Sequence, residues 1–150
     1  MEVNLDYSDL LSALNGEHVK YLIVGAHALA FHGRPRFTKD LDVWVEPTPE
    51  NAARVYRALA AFGAPLHDLS QSELAGEDLV FQIGIPPIRI DIMTSISGVS
   101  FQDAWAKKEN SLYGHVPVWI LSRDLLVANK RGTGRLQDLA DLETLENEQP

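Results

Sequence analysis

Two short segments set the tightest limits on what this chain can fold into. In Asp40-Leu41-Asp42-Val43-Trp44-Val45 and in Ile88-Arg89-Ile90-Asp91-Ile92, apolar residues recur at every second position. Successive side chains of a strand point to opposite faces, so a period of two specifies strands with one face turned to a core. Leu41, Val43 and Val45 then face inward while Asp40 and Asp42 share the other side. On the second segment the three isoleucines oppose Arg89 and Asp91. A fold for this chain has to place acids together on the polar face of strands whose other face is dry.

The remaining segments supply further elements. Asp6 or Ser8 is expected to cap a first helix bearing Leu10, Leu11 and Leu14, with Gly16 at its end. Tyr21-Leu22-Ile23-Val24 is short, apolar and β-favouring; it breaks at Gly25 into a helical stretch, 26–31, that stops at Gly33. Thr48-Pro49-Glu50 offers a capping hydroxyl, a proline at the first helical position and an acid near the positive end of the helix dipole. Val55, Tyr56, Leu59 and Phe62 follow at helical spacing before Gly63. Segments 79–83 and 88–92 flank the turn-forming Gly84-Ile85-Pro86-Pro87 and suggest an antiparallel pair. A helix over 101–108, strand-like pieces at Leu112-Tyr113 and 116–120, and a helix over 123–131 capped by Ser122 come next. Gly132-Thr133-Gly134 is expected to interrupt that helix, and Leu136, Leu139, Leu142 and Leu145 mark a last amphipathic one.

With 150 residues, 45% hydrophobic and 23% charged, the chain has the size and composition of one domain, 1–150, ending in a helical segment over about 122–147. It contains no cysteine, so any metal is held by oxygen or imidazole ligands, which points to hard cations. No apolar run approaches the roughly 20 residues of a membrane span, and Met1, Glu2, Asp6 and Asp9 make an acidic start where a secretory signal is basic. The expectation is a cytoplasmic protein with no membrane partner. A net charge of −8 repels phosphate over the molecule as a whole and argues against broad, nonspecific nucleic-acid binding. Against that background Arg123, Lys130, Arg131 and Arg135 face only Asp124 within 123–135, a local balance of 4 − 1 = +3. This patch suits a triphosphate or an RNA backbone, or else complements a helix C-terminus and the acids Asp138 and Asp141.

Carboxylates gathered on one face repel one another, and a partly buried set must be protonated or neutralised by a cation. Magnesium is the natural choice, because it takes oxygen ligands and bridges a few carboxylates to substrate phosphates. An acid-x-acid pair by itself is equally compatible with a solvated strand face. Gly25 adds weight, since a helix start after a glycine turn presents unpaired N–H groups to phosphate. Arg34, Arg36 and Lys39 precede the acidic strand, and Arg36 is the preferred phosphate contact among them. His27 and His32, five positions apart, do not share a helix face and are read as packing or surface residues. Trp44, Trp105 and Trp119 are scattered and are read as core or interface packing. No glycine-rich loop leads into Lys-Ser or Lys-Thr, which removes P-loop enzymes, and neither a hydrolase elbow nor a dinucleotide fingerprint is present.

The combination Ile23-Val24-Gly25-Ala26-His27-Ala28-Leu29-Ala30, then Gly33, Arg36, Thr38 and Asp40-Leu41-Asp42-Val43, resembles the catalytic half of the DNA polymerase β-like nucleotidyltransferase superfamily. The likeness is greatest to its small bacterial branches, the toxin-type (type IV toxin–antitoxin) and antibiotic-modifying enzymes. The tail, with Leu125-Leu126-Val127-Ala128-Asn129-Lys130, Gly134-Arg135 and Asp138-Leu139-Ala140-Asp141-Leu142, is similar to the toxin-type branch. The resemblance implies an α+β fold, a mixed and mainly antiparallel sheet flanked by helices. It places Gly25 and Ala26 at a phosphate-binding turn, with Arg36 and Lys130 as further nucleotide contacts. Asp40, Asp42 and Asp91 are the implied metal and catalytic acids, with Mg2+ or Mn2+ as cofactor. It also implies transfer of a nucleoside monophosphate from a nucleoside triphosphate to an acceptor. That acceptor is an RNA such as a tRNA end, a protein, or a small hydroxylated antibiotic, and an antitoxin protein is an implied partner; a noncatalytic binding member of the fold is the alternative. Ala26 departs from the pattern, because glycine or serine is usual there.

Overall fold

The computed structural model describes residues 3–33, 40–85 and 88–133. Expectations placed on Arg34, Arg36, Lys39, Pro86, Pro87 and residues 134–150, including Arg135 and the last amphipathic helix, lie outside these. Helix α1 (Leu5–Gly16) buries Tyr7, Leu10, Leu11 and Leu14. Its cap is Asn4 rather than Asp6 or Ser8: the extended backbone of Asn4 turns its Oδ1 back to accept from the N–H groups of Asp6, at 2.9 Å, and Tyr7, at 3.2 Å. Asp6 is left to its other stabilising place, the first turn. Strand β1 (Tyr21–Val24) leads at Gly25 directly into α2 (Gly25–Phe31), and β2 (Asp40–Val45) follows.

Helix α3 (Pro49–Phe62) starts on Thr48, whose Oγ1 accepts from the Asn51 N–H, and ends at Gly63 in the left-handed conformation. The short α4 (Gln71–Leu74) was not anticipated, although Ser70 and Glu73 close a capping box around it. Strands β3 (Val80–Ile85) and β4 (Ile88–Met93) form the expected antiparallel pair, but β3 carries pairing through Gly84 and Ile85, which the sequence reading gave to the turn. Helix α5 (Phe101–Ala106) stops before Lys108, and β5 (Glu109–Tyr113) begins earlier than the apolar pair Leu112-Tyr113 suggested, because it pairs fully with β6 (Val116–Ile120). Helix α6 (Arg123–Thr133), with Ser122 Oγ 3.4 Å from the Leu125 N–H, runs through Gly132 instead of breaking there.

The strands form one sheet in the order β3-β4-β2-β1-β6-β5. Pairs β1–β2, β3–β4 and β5–β6 are antiparallel, while β1–β6 and β2–β4 are parallel. This is the mixed, mainly antiparallel α+β arrangement expected. Register puts Tyr21, Ile23, Leu41, Val43, Val45, Ile90 and Ile92 on one face. All seven are buried, and Tyr21 on that face donates from its hydroxyl to Asn15 Oδ1 of α1, which packs on α3. Burying each such side chain stabilises the fold by ~1.5–3 kcal/mol.

The opposite face is divided. Away from the acids, Trp44 meets Phe101 edge-on, Phe101 stacks on Trp105, and Trp105 meets Trp119 edge-on, with ring centroids 5.0 to 6.0 Å apart. The tryptophans that are far apart in sequence are thus one packed row, with Lys108 Nζ 4.2 Å from the centre of the Trp105 ring. Toward the other end of the same face lie Asp40, Asp42, Arg89 and Asp91. No helix among the described residues is long and apolar enough to cross a membrane.

Candidate active site

Pairing of β2 with β4 brings the acids together. In this parallel pair Asp42 is opposite Asp91, and Asp40 is opposite Arg89. Neighbouring strands lie about 4.8 Å apart and these four side chains share a face, so each acid is within reach of the next strand's charge. Sequence alternation put each pair on a polar face; the register, which no single strand encodes, makes the two faces one.

Arg89 is the residue that the sequence reading passed over. Its guanidinium donates to Asp40 Oδ2 at 2.8 Å and to Asp91 Oδ2 at 3.2 Å. Its Nε is a further 3.1 Å from Asp91 Oδ1, but the two are not aligned as a hydrogen bond, and both are buried atoms without one. The Asp91 carboxylate, opposed by partial burial and helped by Asp40, holds the guanidinium pKa above its ordinary value. The signal for Arg89 was present in the sequence, because it lies two residues before Asp91 on the same strand.

The backbone beneath this ion pair is held from behind. His27, on α2, sets its Nδ1 2.8 Å from the Asp40 carbonyl oxygen, and the Tyr7 hydroxyl donates to the Arg89 carbonyl at 3.2 Å. These rings meet edge-on at 5.6 Å. Burial lowers the His27 pKa, with the Asp40 contact opposing it, so the neutral ring must carry its proton on Nδ1 to donate to a carbonyl. His27 is therefore a buried packing residue, as expected. His32 likewise sets Nε2 2.8 Å from the Leu121 carbonyl oxygen.

Gly25 adjoins the acids because Val24 is the register partner of Asp42. It has φ of +67°, which L side chains rarely adopt, and a Cβ there would collide with the Asp42 carboxylate. Glycine is thus required by both backbone and space. Ala26 follows in the first turn of α2, where its N–H is one of the groups left without a helical partner.

Gly25, Asp40, Asp42, Arg89 and Asp91, but not Ala26, line an open cleft of about 580 Å³ whose other wall includes Ser95, Ile96 and Ser97 and, from α6, Asn129 and Lys130. Lys130 is 4% exposed. The α6 wall is pinned to the turn: Asn129 Nδ2 donates to the Ser97 carbonyl at 3.0 Å, and a Cβ on Gly132 would stand 3.2 Å from Ser97. Gly132 stays helical and lets that turn pack closely, which is why it does not interrupt α6. Gly25, Asp40, Asp42, Asp91 and Lys130 therefore share one cleft, while Arg36 lies outside the described residues.

Among the described residues, no three of His, Asp or Glu are arranged to hold a metal ion by themselves. Magnesium is usually held by one or two carboxylates together with substrate phosphates and water. The opposed pair Asp42 and Asp91 fits that pattern, with Asp91 Oδ1 now facing the Arg89 Nε at 3.1 Å, a cation that a metal ion would replace.

Neither the family models nor the curated proteins compared with the chain match it. Among solved structures it is similar to the "putative nucleotidyltransferase (TM1012)" of Thermotoga maritima. The TM-score is 0.64, with 18% sequence identity over 99% of this chain and 97% of that one. A likeness at that identity speaks for the fold alone: the six-stranded mixed sheet flanked by helices is shared with that protein.

Proposed function

We propose that this protein is a metal-dependent nucleotidyltransferase with Asp42 and Asp91 at its centre, transferring a nucleoside monophosphate from a nucleoside triphosphate to the hydroxyl of an RNA end. One observation carries the reading: Asp42 stands opposite Asp91 on parallel strands and against Gly25, at the mouth of a helix, in a cleft that also holds Lys130.

Bound Mg2+ or Mn2+ would be held by Asp42 and Asp91, with Asp40 beside them, and would neutralise charge on the phosphates. The chain's own groups do the rest. The N–H groups at the start of α2 and the ammonium of Lys130 hold phosphate oxygens, and Arg36 is proposed to do the same. The acceptor hydroxyl oxygen forms a bond to the α-phosphorus as the bond to the leaving pyrophosphate breaks, and Asp91 takes the hydroxyl proton. No side chain becomes covalently attached, so positioning and charge supply the catalysis. Ala26 contributes its N–H but no hydroxyl.

RNA is favoured as acceptor by Arg123 and Arg131 on α6, the helix that forms the cleft wall. A second reading, transfer to a cationic hydroxylated antibiotic, is favoured by the net charge of −8. The test is incubation with Mg2+ and each α-phosphate-labelled nucleoside triphosphate beside total RNA, total protein or an antibiotic panel. Label should enter one pool with the native protein and fall by at least ~100-fold with Asp42→Asn, in line with loss of a transition-state charge contact. Label independent of Asp42, or no label in any pool, overturns the proposal.

A further inference from the structure

We infer that Arg89 is a built-in counter-cation that holds Asp40 and Asp91 until a metal-bound nucleotide brings its own cation to Asp91 and Asp42, and that it then turns to the nucleotide's phosphates. The inference rests on the nucleotidyltransferase reading and adds to it a residue that couples metal binding to nucleotide binding.

Three observations carry it. First, the guanidinium already occupies a cation's place, touching carboxylates on two strands, at 2.8 Å to Asp40 and 3.1 and 3.2 Å to Asp91. Without it, acids on one face would repel and drift apart. Second, the pairing is incomplete. Arg89 Nε and Asp91 Oδ1, both buried, face each other at 3.1 Å as an ion pair without hydrogen-bond alignment. A permanent structural ion pair gains most when every such atom is satisfied, whereas a metal ion would use Oδ1 directly. Third, the side chain can leave without disturbing the strands. The Arg89 side chain is 28% exposed and lines the cleft. The carbonyls of Arg89 and Asp40 are held independently by Tyr7 and His27.

The consequence is a linkage. A metal ion arriving alone must displace a guanidinium that then has no anion to meet. A metal ion arriving with a triphosphate brings the anion with it, and arginine's planar fork suits phosphate oxygens. Metal and nucleotide should therefore bind with positive coupling larger than the metal's own ligation of phosphate supplies, and Arg89 should be the source of the excess.

Titration calorimetry of Mn2+, with and without a nonhydrolysable nucleoside triphosphate analogue, tests this on native protein and on Arg89→Met, Arg89→Lys and Asp42→Asn. For native protein the analogue should tighten Mn2+ binding by at least about tenfold, a usual size for coupling between sites. Arg89→Met should bind Mn2+ alone roughly tenfold tighter than native protein, with the coupling reduced to what the metal's own bond to phosphate provides. Arg89→Lys keeps a cation and the folded site but lacks the fork, so it should fall between the two. If Mn2+ with analogue binds in an Asp42-dependent way but both Arg89 variants leave Mn2+-alone affinity unchanged or weaker, Arg89 is only a structural partner and the inference is overturned while the functional reading stands. If Mn2+ with analogue binds none of the proteins, or binds regardless of Asp42, the functional reading falls and this inference falls with it.

Discussion

Gly25 shows how narrow the tolerances of the site are at the scale of single residues. Gly25→Ala forces a side chain into a left-handed backbone, at about 1–2 kcal/mol, and drives its Cβ into the Asp42 carboxylate. Urea denaturation should show at least that loss, and metal–nucleotide binding should fall with it because Asp42 is displaced. The neighbouring position works in the opposite sense. Ala26→Ser supplies a hydroxyl at the turn without changing the backbone, and a hydrogen bond to a charged group contributes about 1.5 kcal/mol or more. The KM for nucleoside triphosphate should drop by roughly tenfold, read from initial rates. The acids and Gly25 could be picked out from sequence because alternation and a strand-ending glycine leave local marks. Arg89 carries the same mark, which places it beside Asp91 on the polar face, but its partner Asp40 is 49 residues away and only the β2–β4 register reveals that pairing.

Elements were legible where their signals were local. The apolar run of β1, the alternation of β2 and β4 and the Thr48-Pro49 start of α3 were all read at their observed places. Polar Glu109-Asn110-Ser111 hid the first half of β5, whose strand state comes from pairing with β6. The capping box of α4 spans only Ser70 to Glu73 and has no apolar period behind it. What ties α3 to the sheet was equally invisible: Asn51, 1% exposed, accepts from the Lys20 N–H at 2.8 Å and donates to the carbonyls of Lys20, at 3.1 Å, and Glu46, at 3.0 Å. Asn51→Ala should therefore cost about 2–3 kcal/mol, because it leaves the Lys20 N–H without a partner, while the Lys20 and Glu46 carbonyls keep the N–H groups of Glu46 and Thr48. Removing the half-buried cap with Thr48→Ala should cost only about 1 kcal/mol. Denaturant midpoints of the two variants, with unchanged slopes, check the difference.

At the scale of the whole molecule, a sheet buried on one face and split on the other supports both a core and a charged cleft. Its stability should depend on pH through His27. The folded-state pKa of His27 lies below the ordinary 6.5 because the ring is buried. As pH falls below 6.5 the unfolded chain takes up a proton that the folded chain resists, so stability is full above that value and declines as pH drops toward the folded-state pKa. Denaturation across pH 5 to 8, a range of about three units around the histidine midpoint, should show this slope, and His27→Phe should flatten it from a lower starting stability. The sheet order and the β2–β4 register account for where the acids meet, and it is this meeting on which the proposed chemistry depends. Crystals grown with Mn2+ and a nonhydrolysable nucleoside triphosphate test it most directly. Anomalous scattering should place the ion between the Asp42 and Asp91 carboxylates, with the triphosphate at the Gly25 turn; an ion bound elsewhere, or a nucleotide outside this cleft, would contradict the account.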